Sequence, residues 1–294
     1  MSEKPLFVGA ATALITPFTK DGVDFTAMEK LIEWQIEEGI DALVVCGTTG
    51  EAPTLKDDEH QALIEFTVKK TAGRVPVIAG VGSNDTEHAV MMAEFACGAG
   101  ADGLLVVTPY YNKTTQRGLI RSYERIADAS TKPLILYNVP SRTGVDILPE
   151  TYAALADHPM IAGIKEANGN LSRVVETMSL VGDRLDLYSG NDDQIVPIMA
   201  MGGKGVISVL SNVLPAKTVE LCHRFREGDV SESAKIQREL FPLIKALFSE
   251  VNPIPVKAAM ASMGFCEDRV RLPLVEMSEG KRRVLLEELK KHGK

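Results

Sequence analysis

Short apolar runs alternate along the chain with longer stretches in which apolar residues recur every three to four positions. The short runs are GAATALI (9–15), DALVVC (41–46), VPVIAG (75–80), GLLVVT (103–108), PLILYN (133–138), MIAGIK (160–165), LDLYSG (185–190) and GVISVL (205–210). Runs of this length, rich in branched residues and bounded by glycine, proline or polar residues, predict eight buried strands. Between them FTAMEKLIEWQIEEG (25–39), DEHQALIEFTVKK (58–70) and TEHAVMMAEFACGAG (86–100) carry the helical period. A strand–helix unit recurring about every 20 to 33 residues makes a parallel sheet. Eight such units match a closed (β/α)8 barrel, the TIM-barrel form of the α/β class, whereas an open doubly wound sheet uses fewer strands. After the eighth run the strand signal stops, and helices are predicted near 215–227, 230–249, 253–263 and 276–291. The expected organisation is a barrel over 1–229 with a C-terminal helical appendage over 230–294, packed on the barrel or on another subunit.

Composition narrows the class. At 294 residues and 45% hydrophobic, the chain can fill a core of that size. The net charge of −8 comes from acidic residues spread along the chain, without the basic stripe that nucleic acid or an anionic membrane requires. The apolar PLFVGAATALITPF near the N-terminus is interrupted by Pro17 and two threonines and follows no basic n-region, and no other run approaches a membrane span. A cytoplasmic location is expected. Cys46, Cys97, Cys222 and Cys266 are far apart and form no CxxC pair, as core residues of a reducing compartment do.

Chemistry in such barrels gathers at the C-terminal ends of the strands. Here those ends carry Thr16 and Pro17, GTTGE (47–51), Gly80 to Asn84, TPYYNK (108–113), YNVPSRTG (137–144), KEANGN (165–170), SGND (189–192) and Ser208 onward. Alternation along the sixth run turns Ile161, Gly163 and Lys165 inward and Ala162, Ile164 and Glu166 outward, with Gly163 leaving room beside the lysine stem. A strand-end lysine taken alone is ordinarily solvated or snorkelling. The fifth run adds context, because the same parity turns Tyr137 inward beside Lys165, and Arg142 follows in the loop. At pH 7 a lysine of pKa near 10.4 is neutral in only about one molecule in a few thousand. Desolvation and nearby positive charge lower that pKa, which is the environment a Schiff-base lysine needs. From the residues, Lys165 is a solvated cation, an anion holder or a nucleophile.

Other motifs are less specific. GTTGE offers backbone N–H groups and two hydroxyls to a small anion, or is an ordinary loop with a threonine capping the next helix. The adjacent tyrosines of TPYYNK diverge, so at most one enters its own site while the other packs in an interface or reaches a neighbouring chain. DDEH (57–60) gathers three carboxylates and an imidazole, yet consecutive helix positions fan out, and acidic residues in a first turn suit the helix dipole. GGKG (202–205) looks like an anion loop but precedes the eighth strand, at the wrong end of the barrel. There is no HExxH, no GxGxxG after a strand and no GxxxxGK[ST]. No metal, nucleotide or other cofactor is expected.

With GTTGE, PYYN, YNVPSRTG, GIKEA and GVIS in this order on these strand ends, the chain resembles the class I pyruvate-dependent aldolase and lyase superfamily. Within it, the chain is similar to the dihydrodipicolinate synthase family over nearly its whole length. The resemblance implies a metal-independent lyase that condenses pyruvate with L-aspartate 4-semialdehyde in lysine and diaminopimelate biosynthesis. It implies that Lys165 forms a Schiff base with pyruvate and that Thr49, Tyr137 and Tyr111 form a proton relay, Tyr111 reaching in across a tight dimer. It further implies that Thr48, with Thr49 and nearby amides, holds pyruvate, that Arg142 binds the semialdehyde carboxylate, and that Gly190 and Ile207 line the pocket. The assembly implied is a homo-oligomer, a dimer or a tetramer.

Members of this family often carry an allosteric lysine site at the tight-dimer interface. Ala52, His60, Asn84 and Tyr110 fall at matching positions, but Asp57 stands where many lysine-inhibited members have histidine, and His88 where they have glutamate. Loss of that glutamate predicts weak or absent inhibition by lysine. Two alternatives stay open at this point. One is an aldolase of the same superfamily acting on another aldehyde, such as a sialic-acid lyase or a 2-keto-3-deoxy sugar acid aldolase, which shares Lys165 and Tyr137 without needing Arg142. The other is a non-catalytic barrel that binds a keto acid.

Overall fold

A computed structural model of the chain describes residues 5–294. Eight parallel strands close into a barrel: β1 (Gly9–Ala13), β2 (Ala42–Val45), β3 (Val77–Gly80), β4 (Gly103–Val107), β5 (Leu134–Asn138), β6 (Ile161–Glu166), β7 (Asp186–Ser189) and β8 (Gly205–Ser208). Each is followed by a helix, α1 (Phe25–Glu37), α2 (Asp57–Thr71), α3 (Thr86–Gly98), α4 (Gln116–Ala129), α5 (Pro149–Leu155), α6 (Leu171–Val181), α7 (Ile195–Ala200) and α8 (Pro215–Arg226). The chain continues through α9 (Val230–Leu247), α10 (Ile254–Ser262) and α11 (Glu279–Lys291). No helix among the described residues is long and apolar enough to cross a membrane.

Strand alternation divides the core into two bodies. Inward-facing Ala11, Ala13, Ala42, Val44, Ile78, Leu105, Ile135, Tyr188 and Ile207 fill the barrel, and Phe7 stacks on Tyr188 with ring centroids 4.3 Å apart. Small residues on β1 and β2 leave space for the large ones opposite, which is how such an interior reaches crystal-like density. The outward residues, among them Leu43, Val45, Leu104, Val106, Leu136 and Ile164, join the helices in the second body. At the seam, Gly205 adopts φ +154° and a Cβ there would lie 1.7 Å from the Gly9 carbonyl oxygen, so only glycine lets β8 approach β1.

Two expectations about the sixth strand need correction. The β5–β6 register pairs Leu134 with Ile161 but Ile135 with Gly163, an irregularity that inserts one residue. Such a bulge reverses the parity before it, and Ile161 packs in the outer body while Gly163 and Lys165 keep their inward direction. The space left by Gly163 is occupied by the β7 backbone rather than the lysine stem, since a Cβ there would meet the Asp186 carbonyl oxygen at 2.8 Å. The DDEH side chains diverge: Glu59 pairs with Arg271, His88 meets Asp57, and His60 Nε2 lies 2.8 Å from the Gly80 carbonyl.

The C-terminal helices pack on the barrel of their own chain. Lys257 of α10 is fully buried and pairs with Glu51 of the β2 loop at 2.5 Å, donates to the Arg269 carbonyl at 2.7 Å, and lies 4.0 Å over the Phe18 ring. Arg271 grips Glu59 through two hydrogen bonds of 2.6 and 2.5 Å, and its backbone N–H donates to Glu51 at 2.9 Å. Glu51 adopts a left-handed φ of +57°, a conformation uncommon for its residue type, which these partners hold. Removing one member of a buried pair leaves the other as an uncompensated ion. We expect Lys257→Met to destabilise the fold by roughly 3–5 kcal/mol in urea unfolding followed by circular dichroism. The double Glu51→Gln, Lys257→Met variant, with no ion left unpaired, should recover most of that loss.

Candidate active site

Register brings the central pair together. Tyr137 and Lys165 are partners across β5 and β6, one residue short of each strand's end, and both point into the barrel. Lys165 Nζ lies 4.1 Å from the centroid of the Tyr137 ring, over its face. Lys165 is only 6% exposed, and desolvation lowers its pKa to about 7, opposed by the Asp192 carboxylate and assisted by the positive charge of Arg142. At that pKa about half of the amines are uncharged at neutral pH, against one in a few thousand for a free lysine. Burial raises the Tyr137 phenol, while Arg142 and a hydrogen bond with Thr48 hold it back and the Glu166 charge adds to the rise.

The phenol faces a cavity of about 390 Å³ bordered by Gly47, Thr48, Leu105, Val107, Tyr137 and Arg142 and extending to His60, His88 and Tyr110. Arg142 stands on a single helical turn, Pro140–Thr143, where Nη2 donates to the Asn252 carbonyl at 3.0 Å. Asn252 Nδ2 donates in turn to Thr49 Oγ1 at 3.0 Å. One residue from the C-terminal appendage therefore links the loops after β2 and β5 across the mouth. Nothing in local periodicity points to Asn252, because its partners lie far away in the chain.

The predicted residues fall into distinct places. The hydroxyl hydrogen-bonded with Tyr137 belongs to Thr48, while the buried Thr49 hydroxyl accepts from Asn252, so the partner expected for Tyr137 is Thr48 rather than Thr49. Tyr111 is 90% exposed with a left-handed φ of +68°, and its phenol lies outside this chain's own cavity. Gly190 and Ile207, like Lys165 itself, stand behind this cavity rather than on its border: Ile207 is part of the barrel filling, and the Gly190 N–H donates to the Glu166 carbonyl at 2.7 Å. The cavity opens on the β2–β5 side, which explains why the β7–β8 wall is excluded. Of the six candidate effector residues, Ala52, Asp57, His60, His88 and Tyr110 border the cavity, whereas the Asn84 carbonyl accepts from Asn112. His88 Nε2 and Asp57 Oδ1 are 2.9 Å apart.

Asp192 was visible in the sequence only as the end of SGND. It is 2% exposed, and its Oδ2 accepts from the Val209 and Leu210 N–H groups at 3.0 and 2.9 Å. The interior thus holds a buried carboxylate that acts on Lys165. No cluster of three or more His, Cys, Asp or Glu residues able to hold a metal ion occurs among the described residues. The site offers a largely desolvated amine, a phenol with a hydroxyl partner, and a guanidinium at the mouth.

Comparison with known proteins gives a consistent result. The model of the Dihydrodipicolinate synthetase family matches residues 6–292. The 4-hydroxy-tetrahydrodipicolinate synthase of Thermoanaerobacter sp. (strain X514) is 53% identical over 290 residues, covering 98% of each chain. The crystal structure of dihydrodipicolinate synthase from Thermotoga maritima aligns with a TM-score of 0.96 at 46% identity, over 98% of this chain and 99% of that one. The corresponding structure from Aquifex aeolicus gives 0.96 at 47% identity, over 98% of both. Likeness of this extent runs through the barrel and the C-terminal helices alike, and the chain belongs to the dihydrodipicolinate synthetase family.

Proposed function

We propose that this chain is a 4-hydroxy-tetrahydrodipicolinate synthase, a lyase that condenses pyruvate with L-aspartate 4-semialdehyde. The observation that carries the reading is the buried Lys165 amine over the face of Tyr137, with its pKa brought down to about 7. A neutral amine attacks the ketone carbon of pyruvate, and loss of water leaves a protonated imine. That cation withdraws electrons, so a methyl proton departs to give an enamine whose carbon attacks the aldehyde. The substrate's own amine then closes the ring and frees Lys165. Tyr137, hydrogen-bonded to Thr48, takes a proton from the attacking nitrogen and returns it to the carbinolamine oxygen, which leaves as water, and the N–H groups of the GTTGE loop hold the pyruvate carboxylate.

Arg142 accounts for the second substrate. A planar guanidinium makes a bidentate grip on a carboxylate, which aspartate semialdehyde carries beyond its aldehyde. The carbonyl of Asn252 uses only one of its N–H groups among the described residues, leaving donors for that grip. The exposed Tyr111 supports a homo-oligomer, dimer or tetramer, in which this phenol completes the proton relay of a neighbouring subunit. The pairing of His88 with Asp57 supports weak or absent lysine inhibition, because the carboxylate that would meet an incoming ammonium is already engaged.

Trapping tests the central claim. Incubation with pyruvate and cyanoborohydride should add the reduced pyruvate adduct to the peptide carrying Lys165, with a rate rising through pH 7 as the amine loses its proton; an unchanged mass overturns the reading. Arg142→Leu should still trap pyruvate but raise KM for aspartate semialdehyde roughly 10- to 100-fold, the worth of a charge-assisted hydrogen-bonded contact. Removing that positive charge also lets the Lys165 pKa climb, so the acid limb of the rate profile moves to higher pH. In initial-rate assays, lysine titrated to millimolar concentration should leave the rate nearly unchanged, and strong sub-millimolar inhibition contradicts the effector-site reading.

A further inference from the structure

Asn138 and Glu166 follow Tyr137 and Lys165 directly, and the β5–β6 register pairs them as well. Because side chains alternate along a strand, this second pair points away from the cavity into the helix layer. Asn138 is fully buried and Glu166 is 4% exposed. A carboxylate in such a place persists only with dense hydrogen bonding. Asn138 Nδ2 donates to the two Glu166 oxygens at 3.0 and 3.2 Å and to Asp146 Oδ1 at 2.7 Å. The Tyr152 hydroxyl of α5 donates to Glu166 at 3.2 Å, and the Asn168 N–H donates at 2.9 Å. Asn138 Oδ1 accepts from the Ile147 N–H at 3.1 Å. One polar knot therefore joins the ends of both strands, the loops that follow them, and α5.

Two residues earlier on the same outer face, Leu136 and Ile164 provide an apolar version of this contact. Well-packed apolar pairs stabilise a fold as well as buried ions do or better, so stability alone does not account for the change to a polar pair. Hydrogen bonds supply direction, fixing the rotation and offset of one strand end against the other, where apolar surfaces can slide. The amine and phenol on the opposite face share those strand ends. We propose that Glu166, clamped by Asn138, is a positioning residue that fixes the ends of β5 and β6 so that Lys165 and Tyr137 meet in the geometry required for imine formation. This inference rests on the imine reading given above.

The clamp responds to pH. Burial raises the Glu166 carboxyl to about 7, against the Asn138, Asn168 and Tyr152 hydrogen bonds and with a further push from Asp146. The groups facing it are Asp146 from the loop after β5, Tyr152 from α5, and Tyr137, whose phenol its charge makes less acidic. Protonation places a hydroxyl where donors already converge, and the clamp loosens as pH falls through 7. Lys165 becomes cationic in the same window.

The test measures kcat, KM for pyruvate, and the pH dependence of cyanoborohydride trapping in the unmodified chain, Glu166→Gln and Tyr152→Phe. In the unmodified chain the acid limb should approach a slope of two, one proton each on Lys165 and Glu166. Glu166→Gln should reduce that slope to one and lower kcat about tenfold or more, with KM little changed, as expected when reacting groups are misplaced rather than lost. Tyr152→Phe keeps shape and charge but removes one hydrogen bond to the carboxylate, and should move the acid limb to higher pH even if Glu166→Gln fails to fold. Trapping in the unmodified chain, with an unaltered slope and kcat in a folded Glu166→Gln or a superimposable profile in Tyr152→Phe, overturns the clamp alone. Absence of any adduct in the unmodified chain overturns the imine reading and the clamp's role together.

Discussion

An amine can be a nucleophile at neutral pH only if water is kept from it more strongly than nearby carboxylates attract its proton. Lys165 sits at that balance. Burial disfavours its ammonium form, Arg142 adds a like charge from the mouth, and Asp192 pulls the other way from the turn after β7. In the proposed reaction the same arrangement serves two stages, since the carboxylate that opposes neutrality of the free amine also favours the cationic imine that would follow. Barrel closure creates this condition, because Lys165 stands on the inward face of β6 with the filled interior beneath it and is left only 6% exposed.

Much of this was legible because a barrel repeats one rule. Each buried strand announced itself as a short apolar run, and a period of two assigned Tyr137 and Lys165 to the interior without reference to any contact. The rule failed where a strand stopped being regular. The bulge in β6 sent Ile161 outward, a change that no composition reports, since isoleucine suits either face. It failed again in loops, where alternation has no meaning: Thr48 and Thr49 are adjacent hydroxyls, and only the fold determines which one meets Tyr137. Two antiparallel dipeptides, Phe18–Thr19 and Gly22–Val23, were too short to register as strands.

Long-range contacts were the least visible part. Asn252 lies 203 residues from Thr49, in a stretch whose pattern announces only helices. Its role depends on where α9 delivers the chain, and that follows from packing rather than local propensity. The C-terminal helices are accordingly part of the site's construction: Asn252 links two mouth loops, while Lys257 and Arg271 hold Glu51 in its left-handed turn.

This dependence sets an order of events during synthesis. All eight strands have been translated by Ser208, yet Asn252, Lys257 and Arg271 are added only afterwards. Until the last quarter of the polypeptide has been made, Glu51 lacks both the Lys257 ammonium and the Arg271 N–H that partner it in the finished chain, and the mouth lacks the Asn252 link.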